Sequence, residues 1–233
     1  MKEIIIRKKS VIPACDVSVK LYERIVKETA GIDSIGAYKV GFQLGLSHGL
    51  SKVVKLARRY TDKPIIYDHQ KAGTDIPDTG VNFAETVSCA GVDAVILFPQ
   101  AGPETEKAWI NECKNKGLGV IVGGFMTHPK YVRSEGGYIL DDAVLEMYLN
   151  AAKEGVSDFV VPGNKPDVIV KVKETLEKEK VKPVFYAPGF VAQGGTISEA
   201  AKAAGERWHA IVGRGIYKDD DIKKDALEYV KFL

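Results

Sequence analysis

The stretch LSKVVKLARRY at residues 50–60, followed by PIIYD at 64–68, shows the unit from which the chain is built. The apolar side chains of the first segment fall on one helical face, opposite the charges, and are Val53, Val54, Leu56 and Ala57. The second segment is a short, almost continuous apolar run, which predicts a strand buried on both faces. A helix leading into such a strand is the repeating pattern of a parallel α/β protein.

The same alternation recurs along the 233 residues. Strands are predicted at 11–16, 37–41, 64–68, 93–99, 119–124, 158–163, 183–189 and 209–215. Helical patterns lie between them, among them 19–31, 104–117, 140–155 and 165–179. Eight strand–helix units in this length predict a (β/α)8 or TIM barrel, forming a single domain over residues 1–233. An open doubly wound sheet is the structural alternative, because local pattern does not show whether a sheet closes.

The composition is that of an ordinary globular protein, with 45% hydrophobic and 27% charged residues. A net charge of +2 gives no reason to expect nucleic acid or a membrane as the main partner. The three cysteines are widely spaced and show no zinc-binding pattern, so a reducing interior fits best. The N-terminal MKEIIIRKKS is too weakly apolar for a signal peptide or membrane span. We therefore expect a cytoplasmic protein.

Polar residues gather where the predicted strands end. In a (β/α)8 barrel the carboxyl ends of the strands and the loops after them build the active site. The residues placed there are Asp16, Lys39, Asp68, the MTHP segment at 126–129, the QGG segment at 193–195 and the GRG segment at 213–215. Their clustering at one end of an otherwise apolar barrel predicts a functional site.

Two glycine-rich loops follow the seventh and eighth strands, APGFVAQGG at 187–195 and VGRG at 212–215. Glycines let backbone N–H groups approach an anion, and Arg214 can make bidentate contacts to phosphate oxygens. Barrels of this type often bind phosphate after these two strands. Tight turns would also use these glycines, but two adjacent loops with an arginine favour a phosphate site.

A charged array follows the third strand in IYDHQKAGTDIP at 66–77. Taken singly, Asp68 and Asp75 also suit turns or helix caps, and Lys71 suits a solvated loop. Asp16 and Lys39 on neighbouring strand ends would converge on these residues, and acidic neighbours keep lysines charged. Such a cluster places a negative charge beside a substrate anion and an ammonium beside a developing carbanion. It suits decarboxylation or proton transfer at carbon.

The order of these elements resembles the orotidine 5′-monophosphate decarboxylase family, particularly its compact archaeal form, over most of the chain. The resemblance rests on Asp16, on Lys39 in YKVG, on the array at 68–77, on MTHP at 126–129, on P-G-x-x-A-Q-G-G at 188–195 and on VGRGIY at 212–217. It implies a (β/α)8 homodimer with active sites at the interface, an orotidine 5′-monophosphate substrate, a role in pyrimidine biosynthesis, and no metal or organic cofactor.

The resemblance also implies roles for the charged residues. Lys71 is the implied general acid that protonates C6 of the pyrimidine as carbon dioxide leaves. Asp68 lies against the substrate carboxylate and holds Lys71. Asp75 is supplied to the active site of the other subunit, where it completes the array. Lys39 and Asp16 bind ribose hydroxyls and order the array.

The remaining implied contacts surround the substrate. Ile76 and Thr79 accompany the shared aspartate across the dimer interface. Thr127 contacts the pyrimidine edge, where the family usually has serine. The residues implied to hold the phosphate are Pro188, Gln193, Gly194, Gly213 and Arg214.

The chain departs from the family pattern in two places. The usual array reads D-x-K-x-x-D-I-P, whereas here each gap in Asp68-x-x-Lys71-x-x-x-Asp75 is one residue longer. Activity then requires that the extra residues loop out so that the charged groups still superpose. In addition, Lys130 follows Pro129 where the family commonly has glycine, which affects the loop over the pyrimidine.

Three other functions remain open from the sequence. A Mg²⁺-dependent sugar-phosphate decarboxylase or aldolase of the same suprafamily shares the array and the phosphate loops, and His69 is its candidate ligand. A catalytically inactive barrel that binds a nucleotide would account for the altered spacing. A Schiff-base aldolase needs a lysine of depressed pKa, whereas two nearby acids raise it.

A few conspicuous residues are expected to be structural. Trp109 falls on an apolar helix face and is predicted to lie in the core. Trp208 and His209 lead into the last strand and are expected to pack at the bottom of the barrel. Cys15 precedes Asp16 and is expected to point into the barrel wall, because adjacent strand residues alternate sides.

Overall fold

A computed structural model of the chain describes residues 3–70, 73, 75–189 and 197–233. Within these residues eight parallel strands follow one another around a closed barrel in sequence order. The barrel closes where the eighth strand pairs with the first, in a register that runs from Lys9 opposite Trp208 to Pro13 opposite Val212. The predicted (β/α)8 barrel is therefore confirmed, and the open sheet is excluded.

Each of the eight predicted strands is present. The strands are β1 Lys9–Cys15, β2 Tyr38–Gly41, β3 Ile65–Asp68, β4 Ala94–Leu97, β5 Gly119–Gly123, β6 Asp158–Val160, β7 Val184–Ala187 and β8 Trp208–Val212. The predicted carboxyl ends run up to three residues too far, as at 158–163 against Asp158–Val160. The residues beyond each strand leave the ladder and begin the loops of the barrel mouth.

The described residues contain nine α-helices. These are α1 Val19–Thr29, α2 Phe42–His48, α3 Leu50–Ala57, α4 Gly80–Cys89, α5 Pro103–Asn115, α6 Asp141–Lys153, α7 Pro166–Lys178, α8 Ile197–Ala204 and α9 Ile222–Val230. The short helix α2 is absent from the predicted pattern. Its only buried residue is Leu44, so its sequence lacks the apolar stripe that marks the other helices.

Side chains along the strands alternate between the barrel interior and the layer under the helices. On β1, Ile12 and Ala14 pack inside, whereas Val11 and Cys15 pack under the helices. Cys15 is fully buried there, as predicted, and burial raises the pKa of its thiol. The same alternation turns Lys39 of β2 towards the interior of the mouth.

Aromatic and polar residues fill the bottom of the barrel. Trp208 and His209 are both fully buried, as predicted. His209 Nδ1 lies 2.8 Å from Ser10 Oγ, and its ring packs on Tyr186, whose hydroxyl donates to Asp158 at 2.9 Å. The barrel interior is filled by these side chains at this end, whereas the predicted site residues lie at the opposite end, at the mouth.

In the part of the chain that the model describes, no helix is both long and apolar enough to cross a membrane. All three cysteines lie in described segments and are unbridged.

Candidate active site

A cavity of about 490 Å³ opens at the carboxyl ends of the strands. The predicted site residues that line it are Asp16, Lys39, Asp68, Thr127, Pro188, Gly213 and Arg214. They come from six different parts of the sequence and meet because parallel strands end at the same rim.

The Lys39 ammonium lies between two carboxylates at one side of this cavity. Its Nζ donates to Asp68 Oδ2 at 2.9 Å and to Asp16 Oδ2 at 3.2 Å. The Lys39 side chain is only 7% exposed, against 14% for Asp68 and 37% for Asp16. The three residues predicted to converge from strands β1, β2 and β3 therefore do so.

Burial and charge act in opposite directions on Lys39. Burial lowers the pKa of the lysine, but the charges of Asp68 and Asp16, with the hydrogen bonds to them, raise it further. The net pKa lies above its ordinary value, so Lys39 is a fixed cation at neutral pH. A raised pKa makes this lysine unsuited to Schiff-base chemistry, as the sequence predicted.

The loop after β3 turns sharply within two residues. The backbone N–H of Gln70 donates to Asp68 Oδ1 at 2.9 Å, and Gln70 adopts a left-handed φ of 49°. The turn brings the Gln70 side chain to the wall of the cavity.

His69 points away from this cavity towards an aromatic group. Its Nδ1 forms a hydrogen bond with Tyr67 Oη, and its ring meets Phe83 edge-on with centroids 6.3 Å apart. Among the described residues, no three His, Cys, Asp or Glu side chains lie close enough together to hold a metal ion.

The segment that carries Asp75 is held by helix α5. Thr105 Oγ1 donates to the Asp75 carbonyl at 2.9 Å, and Trp109 Nε1 donates to the Ile76 carbonyl at 3.1 Å. The Thr79 hydroxyl donates to the same Ile76 carbonyl at 2.8 Å. Trp109 is a core residue, as predicted, but it also fixes this loop.

Asp75 and Ile76 are not brought together with Lys39. They line a separate, shallow cavity of about 390 Å³ with the start of α5. Both residues are exposed, and 57% of Ile76 is accessible. Within one chain, then, the array has two parts: the cluster around Lys39 and the exposed Asp75 segment.

The loop after β8 forms a further part of the wall of the large cavity, next to β1. Gly213 and Arg214 both line it, and Arg214 is exposed. The Tyr217 hydroxyl donates to the Ala14 carbonyl at 3.2 Å and ties this loop to β1. Gly215 has a packing role instead, because a Cβ there would lie 2.0 Å from the Tyr229 hydroxyl oxygen.

The loop after β5 covers a third side of the cavity. Thr127 lies on the wall, and its carbonyl accepts a hydrogen bond from Asn164 Nδ2 at 3.0 Å. Lys130 has a left-handed φ of 59°. It therefore keeps the backbone conformation that glycine favours, although a side chain is present.

Three predicted site residues, Lys71, Gln193 and Gly194, lie outside the described residues. Conversely, the sequence did not point to Gln70 or Thr105 as site residues. A glutamine beside an acid and a threonine in a helix are too common to stand out, and their contacts depend on tertiary placement.

The sequence matches the model of the orotidine 5′-phosphate decarboxylase / HUMPS family over residues 10–229. The chain belongs to this family. Within the family, it is 33% identical to the orotidine 5′-phosphate decarboxylase of Methanosarcina mazei over 194 residues, which cover 83% of this chain and 81% of that one. It is also 33% identical to that of Methanosarcina barkeri over 224 residues, with 94% and 92% coverage.

A solved structure of the same family is similar over almost the whole barrel. The orotidine 5′-monophosphate decarboxylase of Methanocaldococcus jannaschii, complexed with inhibitor BMP, matches with a TM-score of 0.83 and 28% identity. The match covers 97% of this chain and 98% of that one.

Proposed function

We propose that this protein is an orotidine 5′-monophosphate decarboxylase that works without a metal ion. The reaction breaks the bond between C6 of the pyrimidine and its carboxylate, and the electron pair stays on C6. Lys71 supplies the proton that C6 takes up, so the products are uridine 5′-monophosphate (UMP) and carbon dioxide. The enzyme then serves pyrimidine biosynthesis.

One observation supports this proposal most strongly. A single cavity is lined both by the cluster of Lys39, Asp16 and Asp68 and by Gly213 with Arg214. A nucleotide with a reactive base and a 5′-phosphate needs both features in one site. The family relatives named orotidine 5′-phosphate decarboxylase support the same substrate.

The cluster around Lys39 suits a reaction in which negative charge develops at carbon. Asp68 lies beside a fixed ammonium and is in place to disfavour the substrate carboxylate in the ground state. Lys39 already occupies the space between Asp16 and Asp68 with a positive charge. A Mg²⁺ ion bridging the same carboxylates would have to displace that ammonium, which argues for the metal-free reaction over the Mg²⁺-dependent alternative.

Binding of the phosphate and ribose of the substrate supports the reaction at its pyrimidine. Arg214 and the Gly213 backbone bind the phosphate, with Pro188, Gln193 and Gly194 closing over it. Thr127 contacts the pyrimidine edge, and Asp16 with Lys39 binds the ribose. Interactions with the non-reacting parts supply free energy that offsets the cost of placing the carboxylate beside Asp68.

We further propose that the enzyme is a homodimer in which Asp75 serves the partner's site. The Asp75 segment is exposed and receives two hydrogen bonds from α5, and it does not line the cavity that contains Lys39. The exposed Ile76 side chain, with Thr79 beside it, then packs at the interface.

The decarboxylase proposal is tested by incubating the EDTA-treated protein with orotidine 5′-monophosphate and measuring UMP and carbon dioxide. Turnover should be independent of added Mg²⁺ and lost in Lys71→Ala. Lys178→Ala, at an exposed position of α7, is the matched control and should retain full activity. Turnover of sugar phosphates that depends on Mg²⁺ would favour the suprafamily alternative, and nucleotide binding without turnover would favour an inactive barrel.

The shared site is tested by mixing two inactive variants, Lys71→Ala and Asp75→Asn. In a two-fold dimer each mixed pair contains one doubly altered site and one intact site. Random exchange of subunits should therefore restore about a quarter of wild-type activity. If both residues act within one chain, mixing restores nothing.

A further inference from the structure

Gln70 contacts both carboxylates of the Lys39 cluster. Asp16 Oδ2 accepts a hydrogen bond from Lys39 Nζ at 3.2 Å, and its Oδ1 accepts one from Gln70 Nε2 at 3.4 Å. Asp68 Oδ2 accepts from Lys39 Nζ at 2.9 Å, and its Oδ1 accepts from the Gln70 backbone N–H at 2.9 Å. Lys39 and Gln70 thus close a ring of hydrogen bonds around the two acids.

The orientation of the Gln70 carboxamide follows from its neighbours. Its Oε1 accepts the Phe42 backbone N–H at 3.3 Å, and a carboxylate can only accept, so Nε2 must face Asp16. Gly41 leaves the room for this packing. A Cβ at Gly41 would lie 2.3 Å from Asp16 Oδ1 and 3.2 Å from Gln70 Oε1.

The backbone of Gln70 is held in a conformation that ordinary residues avoid. Its φ of 49° lies in the left-handed region, where a side chain crowds the following carbonyl. Glycine would adopt it without that cost. A glutamine in this conformation, with its carboxamide against an active-site acid, indicates a role for the side chain.

We propose that Gln70 is a positioning residue that fixes Asp16 and Asp68 for decarboxylation. The inference rests on the proposed function. Asp16 depends most on this contact, because its side chain is more than twice as exposed as that of Asp68 and has fewer packing constraints. Gln70 belongs to the lengthened gap between Asp68 and Lys71, so the extra residue supplies a contact to the array as well as spacing.

The first test replaces Gln70 with glycine. Gln70→Gly keeps the backbone N–H to Asp68, eases the left-handed backbone and removes the side chain with its carboxamide. We expect kcat/KM to fall about tenfold, the equivalent of one hydrogen bond to a charged group, with no loss of thermal stability. Lys180→Gly is the matched control, since Lys180 has a similar φ of 61° and is exposed in the turn that follows α7. A Gln70→Gly enzyme as active as Lys180→Gly overturns the inference.

The second test uses the isosteric variant Gln70→Glu. The new carboxylate still accepts from Phe42 N–H but faces Asp16 with a like charge. Its kcat/KM relative to wild type should fall as the pH rises through the titration of the new carboxyl group. The corresponding ratio for Gln70→Gly should stay flat. A pH-independent ratio for Gln70→Glu would mean that the side chain does not act on Asp16.

The third test measures coupling between Gln70 and Asp16. If Gln70 acts through Asp16, Gln70→Gly should have little further effect on kcat/KM in the Asp16→Asn background, whereas independent roles give additive effects.

UMP affinity measured by calorimetry supplies a readout apart from turnover. If wild type binds UMP but forms none from orotidine 5′-monophosphate, the decarboxylase proposal fails alone. If wild type turns over and the coupling is absent, the Gln70 inference fails alone.

Discussion

Replacement of His209 by glutamine should remove much of the acid sensitivity of the fold. His209 is fully buried at the bottom of the barrel, with Nδ1 against Ser10 and no partner for Nε2 within the described residues. Burial, together with the positive charge of Arg207, lowers the pKa of the imidazole to about 3. The folded protein therefore holds this histidine neutral.

The magnitude follows from the difference between the folded and unfolded pKa values. Unfolding returns His209 to an ordinary pKa near 6.5. Below that pH His209 is protonated in the unfolded state but stays neutral in the folded state. The free energy of unfolding therefore falls as the pH decreases towards the folded pKa. The slope is about 1.4 kcal/mol per pH unit, so moving from about pH 7.5 to about pH 4.5 should cost about 2 to 3 kcal/mol from this residue.

The assay is urea unfolding at the two pH values for wild type, His209→Gln and His48→Gln. His48 lies exposed on α2 and is the matched control. Burial raises the pKa of nearby Asp158, which favours folding on the acid side, but this effect is present in all three proteins and cancels in the comparison. Wild type and His48→Gln should lose about 2 to 3 kcal/mol more than His209→Gln. Equal losses in all three would refute the reasoning.

Three further changes test other parts of the molecule. Lys39→Met leaves two neighbouring carboxylates without their ammonium. It should lower the free energy of unfolding at neutral pH by about 2 to 3 kcal/mol and abolish turnover; stability that is unchanged in urea would contradict the assigned charges. Lys130→Gly relieves a left-handed backbone, which by itself should raise the free energy of unfolding by about 0.5 to 1 kcal/mol. The greater conformational entropy of glycine in the unfolded chain offsets part of this gain. A lower melting temperature would contradict the expected net stabilisation. Trp109→Phe removes the hydrogen bond to the Ile76 carbonyl and should cost about 1 kcal/mol of stability together with a loss of turnover greater than that of Trp208→Phe; an unaffected rate would mean that α5 does not position the loop.

The fold was predictable because each strand is marked by its own residues. Runs such as Ala94–Leu97 are apolar throughout, and only a strand with both faces covered fits such a run. Helix α2 was not predictable, because it buries one residue and takes its place from the turn at Gly41. Closure of the barrel followed from the number of units, whereas local pattern alone did not distinguish it from an open sheet.

The candidate site was predictable where strand geometry alone decides position. Asp68 ends β3, and Lys39 faces inward two residues before the end of β2, so their meeting follows from the barrel. Gln70 was not predictable, because its contact with Asp16 requires a left-handed turn that no neighbouring glycine signals. The placement of Asp75 was also not predictable, because the residues that hold its segment, Thr105 and Trp109, lie 30 and 33 residues further along the chain than the residues they bond.

The most direct measurement is turnover of orotidine 5′-monophosphate by EDTA-treated wild-type protein in deuterated water, with mass and position of the label read in the product. We expect UMP that carries deuterium at C6, formed at the same rate with and without Mg²⁺, and none from Lys71→Ala. Failure to form UMP, or formation only with Mg²⁺, would contradict a metal-free decarboxylase.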